Sequence, residues 1–346
     1  MDHTVYRFDP LAMTAAAEGR PAAPTRGSGA SISREPQIGV IYNPRSHRNK
    51  GQDLDCTERP GITVAQPDRR EDIASALADF AQQGIDYLII NGGDGTVRDV
   101  LTMGQSVFGE TWPALAILPK GKTNALNVDL GAPAGWNLPD AIDAYATGRR
   151  IVRRPLSVKR EGADDTPMLG FIFGCGAFTL GVEVGQDAHD LGFFNSLAVG
   201  ATGSWGVLQA LFGSDTNRWR RGTPTKLTYL PSGEPMPRSE HGDPGRRTLV
   251  LASTLEKMPL DIKLFAPGGE GIRLAVLDTA RRRIMGMAPA ILLGWRPEWL
   301  AKGGFHQLSA ESFAIEVGEP VILDGESFPA GTYVVGQGPD LTFIAP

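Results

Sequence analysis

The stretch Asn91-Gly92-Gly93-Asp94-Gly95-Thr96 limits what this 346-residue chain can fold into more than any other part of it. It stands between an apolar run, Tyr87 to Ile90, and a segment, Val97 to Met103, that reads as a helix. Three glycines around one carboxylate make a poor core. Lacking Cβ atoms, they reach positive φ and let the backbone approach a ligand, so a strand-to-helix turn of this composition can aim its N–H groups at an anion such as phosphate.

The preceding residues supply a matching frame. Gln37 to Tyr42 is a short β-branched and apolar run stopped by Asn43-Pro44, and Ile62 to Ala65 suggests a second strand. Asp68 to Gln83 reads as an amphipathic helix, with Ile73, Leu77 and Phe80 on one face, Asp68 as N-cap and Gly84 after the last turn. Strand, helix, strand, glycine turn and helix in that order predict a parallel α/β sheet. Ligands of such sheets bind beyond the carboxyl ends of the strands, so the turns at Asn43 and at Gly92 should open on one edge.

Ala114 to Leu118 repeats the pattern, followed by Pro119-Lys120-Gly121-Lys122-Thr123-Asn124 and a helical Ala125 to Leu130. Lys120 and Lys122 add charge and Thr123 and Asn124 add hydrogen-bonding groups, suited to phosphate, sugar or base, or else to a solvated connection. The same two readings hold for Arg45-Ser46-His47-Arg48-Asn49-Lys50. Pro139 to Ala146 predicts a helix ending at Gly148.

From Arg149 the pattern changes to short runs between Gly, Pro and polar turns, which predicts an antiparallel β domain. The runs are Ile151 to Val158, Leu169 to Phe173, Lys226 to Leu230, Leu249 to Thr254, Ile262 to Phe265 and Ile272 to Leu277, with one helix expected near Ala198 to Phe212. Gly170 to Gly185 mixes glycines with Phe171, Phe173 and Phe178, and reads as tight β packing or as the floor of an acyl-chain groove. Val321-Ile322-Leu323 leads into Asp324-Gly325-Glu326. These carboxylates could serve as metal ligands or a general base, or simply form an Asp-Gly hairpin. The five histidines show no metal-ligand spacing.

Length favours two domains, and a net charge of −5 argues against a general nucleic-acid binder. The two cysteines, Cys56 and Cys175, form no disulfide framework, which points to a reducing cytoplasm. No run reaches the roughly 18 apolar residues of a membrane span. Arg281-Arg282-Arg283 does precede the apolar Ile284 to Trp295, and such a pair either rests on an anionic membrane surface or buries its apolar part. Residues 1–35, rich in Ala, Gly, Pro and Ser, read as a flexible tail.

Taken together, Asn43-Pro44-Arg45-Ser46, Gly92-Gly93-Asp94-Gly95-Thr96-Val97-Arg98-Asp99-Val100, Ile117 to Asn124 and Leu323-Asp324-Gly325-Glu326 resemble the diacylglycerol kinase catalytic-domain family of lipid kinases, which includes sphingosine and ceramide kinase relatives. The glycine-aspartate-glycine piece is shared with NAD kinases and phosphofructokinases; the terminal acid pair after a β domain favours the lipid branch. This chain departs from the family pattern at His47, Asp99, Lys122 and Ala125.

The resemblance implies an α/β nucleotide domain over 36–149, a β-sandwich lipid domain over 150–320, and a final segment, 321–346, returning toward the cleft. It implies ATP and Mg²⁺ as cofactors, a membrane lipid as acceptor, and a cytoplasmic enzyme peripheral at the inner membrane surface. Nucleotide contacts would come from Asn43, Pro44, Arg45, Ser46, Gly92, Gly93, Asp94, Gly95, Thr96, Lys120, Gly121, Lys122, Thr123 and Asn124. Asp94, Asp324 and Glu326 would be catalytic, with Asp94 and Asp324 near the metal, and either Glu326 or Asp94 serving the acceptor hydroxyl. An NAD kinase-like enzyme for a small hydroxyl compound, or a non-catalytic nucleotide- or lipid-binding sensor, are the alternatives.

Overall fold

The computed structural model describes residues 35–46, 48, 49, 54, 59–162, 166–182 and 217–346. They divide into two compact units, the first comprising the described residues up to Arg153 together with Thr166 and Pro339–Pro346, the second running otherwise from Arg154 to Gly338.

In the first unit β1 (Ile38–Tyr42), β2 (Ile62–Ala65), β3 (Tyr87–Gly92) and β4 (Ala114–Pro119) pair in parallel. The last strand of the chain, β18 (Leu341–Ala345), lies parallel to β4 and antiparallel to β5 (Arg149–Arg153), giving the order β2-β1-β3-β4-β18-β5. β1 and β3 are buried along their whole length, as apolar strands covered on both faces must be. On one face α1 (Arg70–Gln83) lays Phe80 against Gly39, where a Cβ would meet the ring at 2.8 Å. On the other, Leu138, Ala141 and Ile142 of α4 (Leu138–Thr147) pack with Val40, Tyr87 and Ile89. α2 (Asp94–Phe108) starts directly after β3, and α3 (Ala125–Leu130) follows the turn after β4.

The second unit contains β6 (Leu156–Arg160), β7 (Met168–Gly170), β8 (Ile172–Gly176), β9 (Thr223–Leu230), β10 (Arg246–Arg247), β11 (Leu249–Ser253), β12 (Ile272–Leu277), β13 (Phe305–Ala310), β14 (Ser312–Val317), β15 (Val321–Leu323), β16 (Glu326–Phe328) and β17 (Gly331–Gln337). They form two six-stranded antiparallel sheets, β10-β9-β14-β17-β6-β7 and β13-β12-β11-β8-β15-β16. Phe313, Ile315, Tyr333 and Val335 from the first meet Phe173, Val250, Leu274 and Val276 from the second in one core, as a β-sandwich requires. At its edge the buried Asp278 accepts from Arg247, from Ser239 N–H at 2.7 Å, and meets His306 Nε2 at 2.9 Å. Burial by itself would raise the Asp278 pKa; the hydrogen bonds from His306 and Ser239 and the charge of Arg247 outweigh it and hold the carboxyl below its usual range.

Several local expectations are corrected. The run Ile151 to Val158 is two strands, because Arg154-Pro155 interrupts it where the chain passes from one unit to the other. Leu169 to Phe173 also divides, and β7 and β8 belong to different sheets. Ile262 to Phe265 is not a strand; its backbone is engaged by other groups, Lys263 N–H by Leu292 O and Phe265 O by Arg296. α1 begins at Arg70, and Asp72, not Asp68, closes its first turn by accepting from Arg69 N–H at 3.0 Å. The helix expected at Ala198 to Phe212 lies outside the described residues, as do Leu191 to Phe194 and His47.

Candidate active site

β1, β3 and β4 run parallel in one sheet, so the turns that follow them share its carboxyl edge. Hydrogen bonds join the three turns. Asn43 Nδ2 donates to Thr96 Oγ1 at 2.8 Å, while Asn43 Oδ1 accepts from Arg45 N–H at 3.0 Å. Arg48 N–H reaches Lys120 O at 3.3 Å. Asn124 N–H and Ala125 N–H donate to the two oxygens of Asp94 at 2.9 and 3.1 Å. Asn124 closes its own loop, accepting from Gly121 N–H at 2.7 Å and donating to Gly121 O at 2.9 Å.

Glycine is required where the turns meet. A Cβ on Gly93 would lie 2.9 Å from Gly121 Cα, and one on Gly121 would lie 2.9 Å from Gly93 Cα. This close approach brings the N-terminus of the 15-residue α2, with its unpaired N–H groups and positive dipole end, against the loop of Lys120 to Asn124. Lys120 is buried at the root of that loop; Lys122 and Thr123 are exposed at its tip, and Pro44 and Arg45 are exposed on the first turn.

Asp94 is pulled two ways. Burial raises its pKa, and the hydrogen bonds from Asn124 and Ala125 oppose that without cancelling it. Each oxygen accepts one backbone N–H and keeps lone-pair capacity, so the group closes the start of α3 and can still face a ligand. Among the described residues no three His, Cys, Asp or Glu side chains cluster as a metal cage. Asp94, with lone-pair capacity left, is the kind of single carboxylate to which Mg²⁺ binds together with phosphate oxygens.

Two asparagines of these turns hold positions to which the sequence reading assigns no individual role. Asn49 Nδ2 donates to Asn43 O at 2.7 Å and to Asn91 O at 3.2 Å, tying the first turn to the end of β3. Asn91 is fully buried beside the glycine turn, and neither its amide nitrogen nor its amide oxygen has a partner among the described residues. Asparagine in a polar turn is too ordinary for sequence to flag either one.

Asp324 and Glu326 lie in the second unit. Asp324 (φ 46°) and Gly325 (φ 83°) form the two-residue connection between β15 and β16, with Leu323 paired to Glu326, so the hairpin reading of Asp-Gly describes the local backbone. The Asp324 carboxylate accepts from Phe171 N–H at 3.0 and 3.1 Å and from Ile172 N–H at 2.8 Å. Phe171 is where the chain leaves one sheet for the other, and Ser253 Oγ serves Phe171 O at 2.8 Å. Gly170 lets the Asp324 carboxylate come this near: a Cβ there would be 2.7 Å from Asp324 Oδ2. Asp324 thus staples the sheet crossing. Glu326 is half-buried on the returning strand.

Residues 37–154 match the family model of the diacylglycerol kinase catalytic domain. Three solved structures from Bacillus anthracis str. Sterne, two described as "a putative diacylglycerol kinase" and one as a diacylglycerol kinase, are similar over 90% of this chain and 97% of theirs. Their TM-scores are 0.62, 0.61 and 0.58 and their identities 17%, 19% and 18%, a likeness of fold. No curated protein matches the chain. The α/β sheet, its glycine turn and the matched segment agree in pointing the same way: residues 37–154 are similar to the catalytic domain of diacylglycerol kinases, and the likeness of fold extends over both units.

Proposed function

We propose that the enzyme transfers the γ-phosphoryl group of ATP to the primary hydroxyl of a membrane lipid, a diacylglycerol or a ceramide-like sphingolipid, and works peripherally at a membrane surface. The observation that carries the nucleotide half is the bonding of three polar turns around the N-terminus of α2. Phosphoryl transfer requires above all positioning and charge neutralisation, which backbone N–H groups at a helix start and a nearby lysine provide.

In this reading N–H groups of Gly92 to Thr96 hold phosphate oxygens, Lys120 and Lys122 offset their charge, and Asn43 orients the Thr96 hydroxyl. Asp94 faces the phosphates and would hold a Mg²⁺ that neutralises charge on the transferring group. Glu326 is the acceptor-side acid, taking the proton of the lipid hydroxyl. Asp324, whose oxygens accept from Phe171 and Ile172, acts by fixing the hairpin that presents Glu326.

The test is transfer of radiolabelled phosphate from ATP, run in parallel on diacylglycerol, ceramide, sphingosine and NAD. A labelled lipid supports the proposal. Labelled NAD alone would make this a small-molecule kinase, and ATP binding without any labelled product would make it a sensor; either result overturns the lipid-kinase reading.

A further inference from the structure

The second unit exposes an apolar patch outside its core. Leu293 is 78% exposed, Leu260 65%, Trp295 42% and Met287 41%. Met287, Ala290, Leu293 and Trp295 line one shallow depression. Two short helices, Arg282–Gly286 and Ala288–Leu292, are anchored inward by Ile284 and Ile291. Met287 and Leu293, at their ends, are left facing out. The turn carrying Leu260 is fastened alongside: Lys263 N–H donates to Leu292 O at 2.8 Å, and the Lys263 stem lies over Gly294, its Cδ 3.2 Å from where a Cβ would stand.

Exposure alone does not say what covers such a patch; its border does. Arg281, Arg282 and Arg283 lead into it, and Arg282 and Arg283 are exposed. The Arg283 guanidinium sits 4.0 Å from the Trp299 ring centroid, and Trp299 meets Trp295 edge-on with centroids 5.9 Å apart. Cationic and apolar surface are therefore joined through two indoles. Lys263 marks another border, with Asp261 3.9 Å away, and Glu298 lies between the two tryptophans in sequence. In a chain of net charge −5 this basic margin is a local reversal of sign.

We propose that this face docks on an anionic lipid surface. Leu293, Met287 and Trp295 enter the boundary of the acyl region, where indoles are favoured, and Arg281 to Arg283 and Lys263 stay at headgroup level with their stems on apolar surface. A second copy of the chain is the poorer match, because a two-fold contact would set each arginine cluster against a basic partner surface. The proposal draws on the lipid-kinase reading only for the purpose of docking; binding itself is measured without ATP.

The experiment is cosedimentation of the full chain with vesicles of phosphatidylcholine alone and of phosphatidylcholine mixed with phosphatidylglycerol, with oligomeric state measured by light scattering. We expect binding about tenfold tighter to the mixed vesicles, weakening with added salt, and lowered about tenfold by Leu293→Asp or Arg282→Glu. Both side chains are exposed, so unfolding temperatures should match the wild type. Undiminished binding of Leu293→Asp overturns the proposal. So does a wild-type dimer that Leu293→Asp dissociates with vesicle binding intact, or failure of the wild type to bind vesicles. Vesicle binding that depends on Leu293 while no lipid is phosphorylated leaves the docking face standing and removes the lipid-kinase reading alone.

Discussion

Gly93 and Gly121 face each other so closely that a Cβ on either would press to 2.9 Å from the Cα of the other. One follows β3 and the other follows β4, so this contact sets how near α2 approaches the lysine loop. Gly93→Ala and Gly121→Ala should each cost about 1–3 kcal/mol of stability through overpacking, because the obstructing atoms are backbone. Moving the loop from the helix start should also weaken ATP binding by at least about tenfold. Thermal unfolding and calorimetric titration with a non-hydrolysable ATP analogue measure the two effects.

Asn91 offers a separation of fold from function. Its buried amide has no partner among the described residues, and such a group costs roughly 1–3 kcal/mol. Asn91→Leu should therefore leave stability unchanged or raise it. If the amide is kept for the nucleotide, the same variant should bind the ATP analogue more weakly; tighter unfolding resistance with unaltered affinity would exclude that use.

Asp324→Asn and Glu326→Gln should behave differently although they are two residues apart. The first weakens the staple on Phe171 and Ile172 and should lower stability by about 1–3 kcal/mol. The second should leave the unfolding midpoint in place and reduce kcat for lipid phosphorylation by about a hundredfold or more, the size expected of a lost general base. Denaturant melts beside steady-state kinetics test the pair.

Asp278→Asn should cost about 3–5 kcal/mol, since it leaves Arg247 buried without its counter-charge. The pH dependence follows from the depressed Asp278 pKa. An unfolded-state carboxyl titrates near 3.8, the folded one below that, so the stabilising contribution is complete above 3.8 and is lost as pH falls through the folded value. Asp94 has the opposite sign. Its folded pKa is raised, so the native state holds extra proton just above 3.8 and wild-type stability relative to Asp94→Asn should decline as pH rises through that window. Unfolding midpoints measured across acidic pH for both variants distinguish these slopes.

The sequence by itself determined the parallel sheet, because strands buried on both faces must be continuous apolar runs, as Tyr87 to Ile90 is, and a glycine turn between strand and helix has few other uses. It also placed the three polar turns on one edge, since parallel strands present their carboxyl ends together. Tertiary structure alone decided what each polar atom meets. Asn49 looks like any turn asparagine until its amide is seen to bridge Asn43 O and Asn91 O, Asn91 until the fold buries it, and nothing in Asp324-Gly325-Glu326 tells that the Asp324 carboxylate meets the backbone where the chain changes sheets at Phe171. That crossing is invisible in Leu169 to Phe173, where the apolar alternation is the same whichever sheet takes each half. Only the tertiary fold brings the Phe171 and Ile172 amides to a carboxylate about 150 residues away.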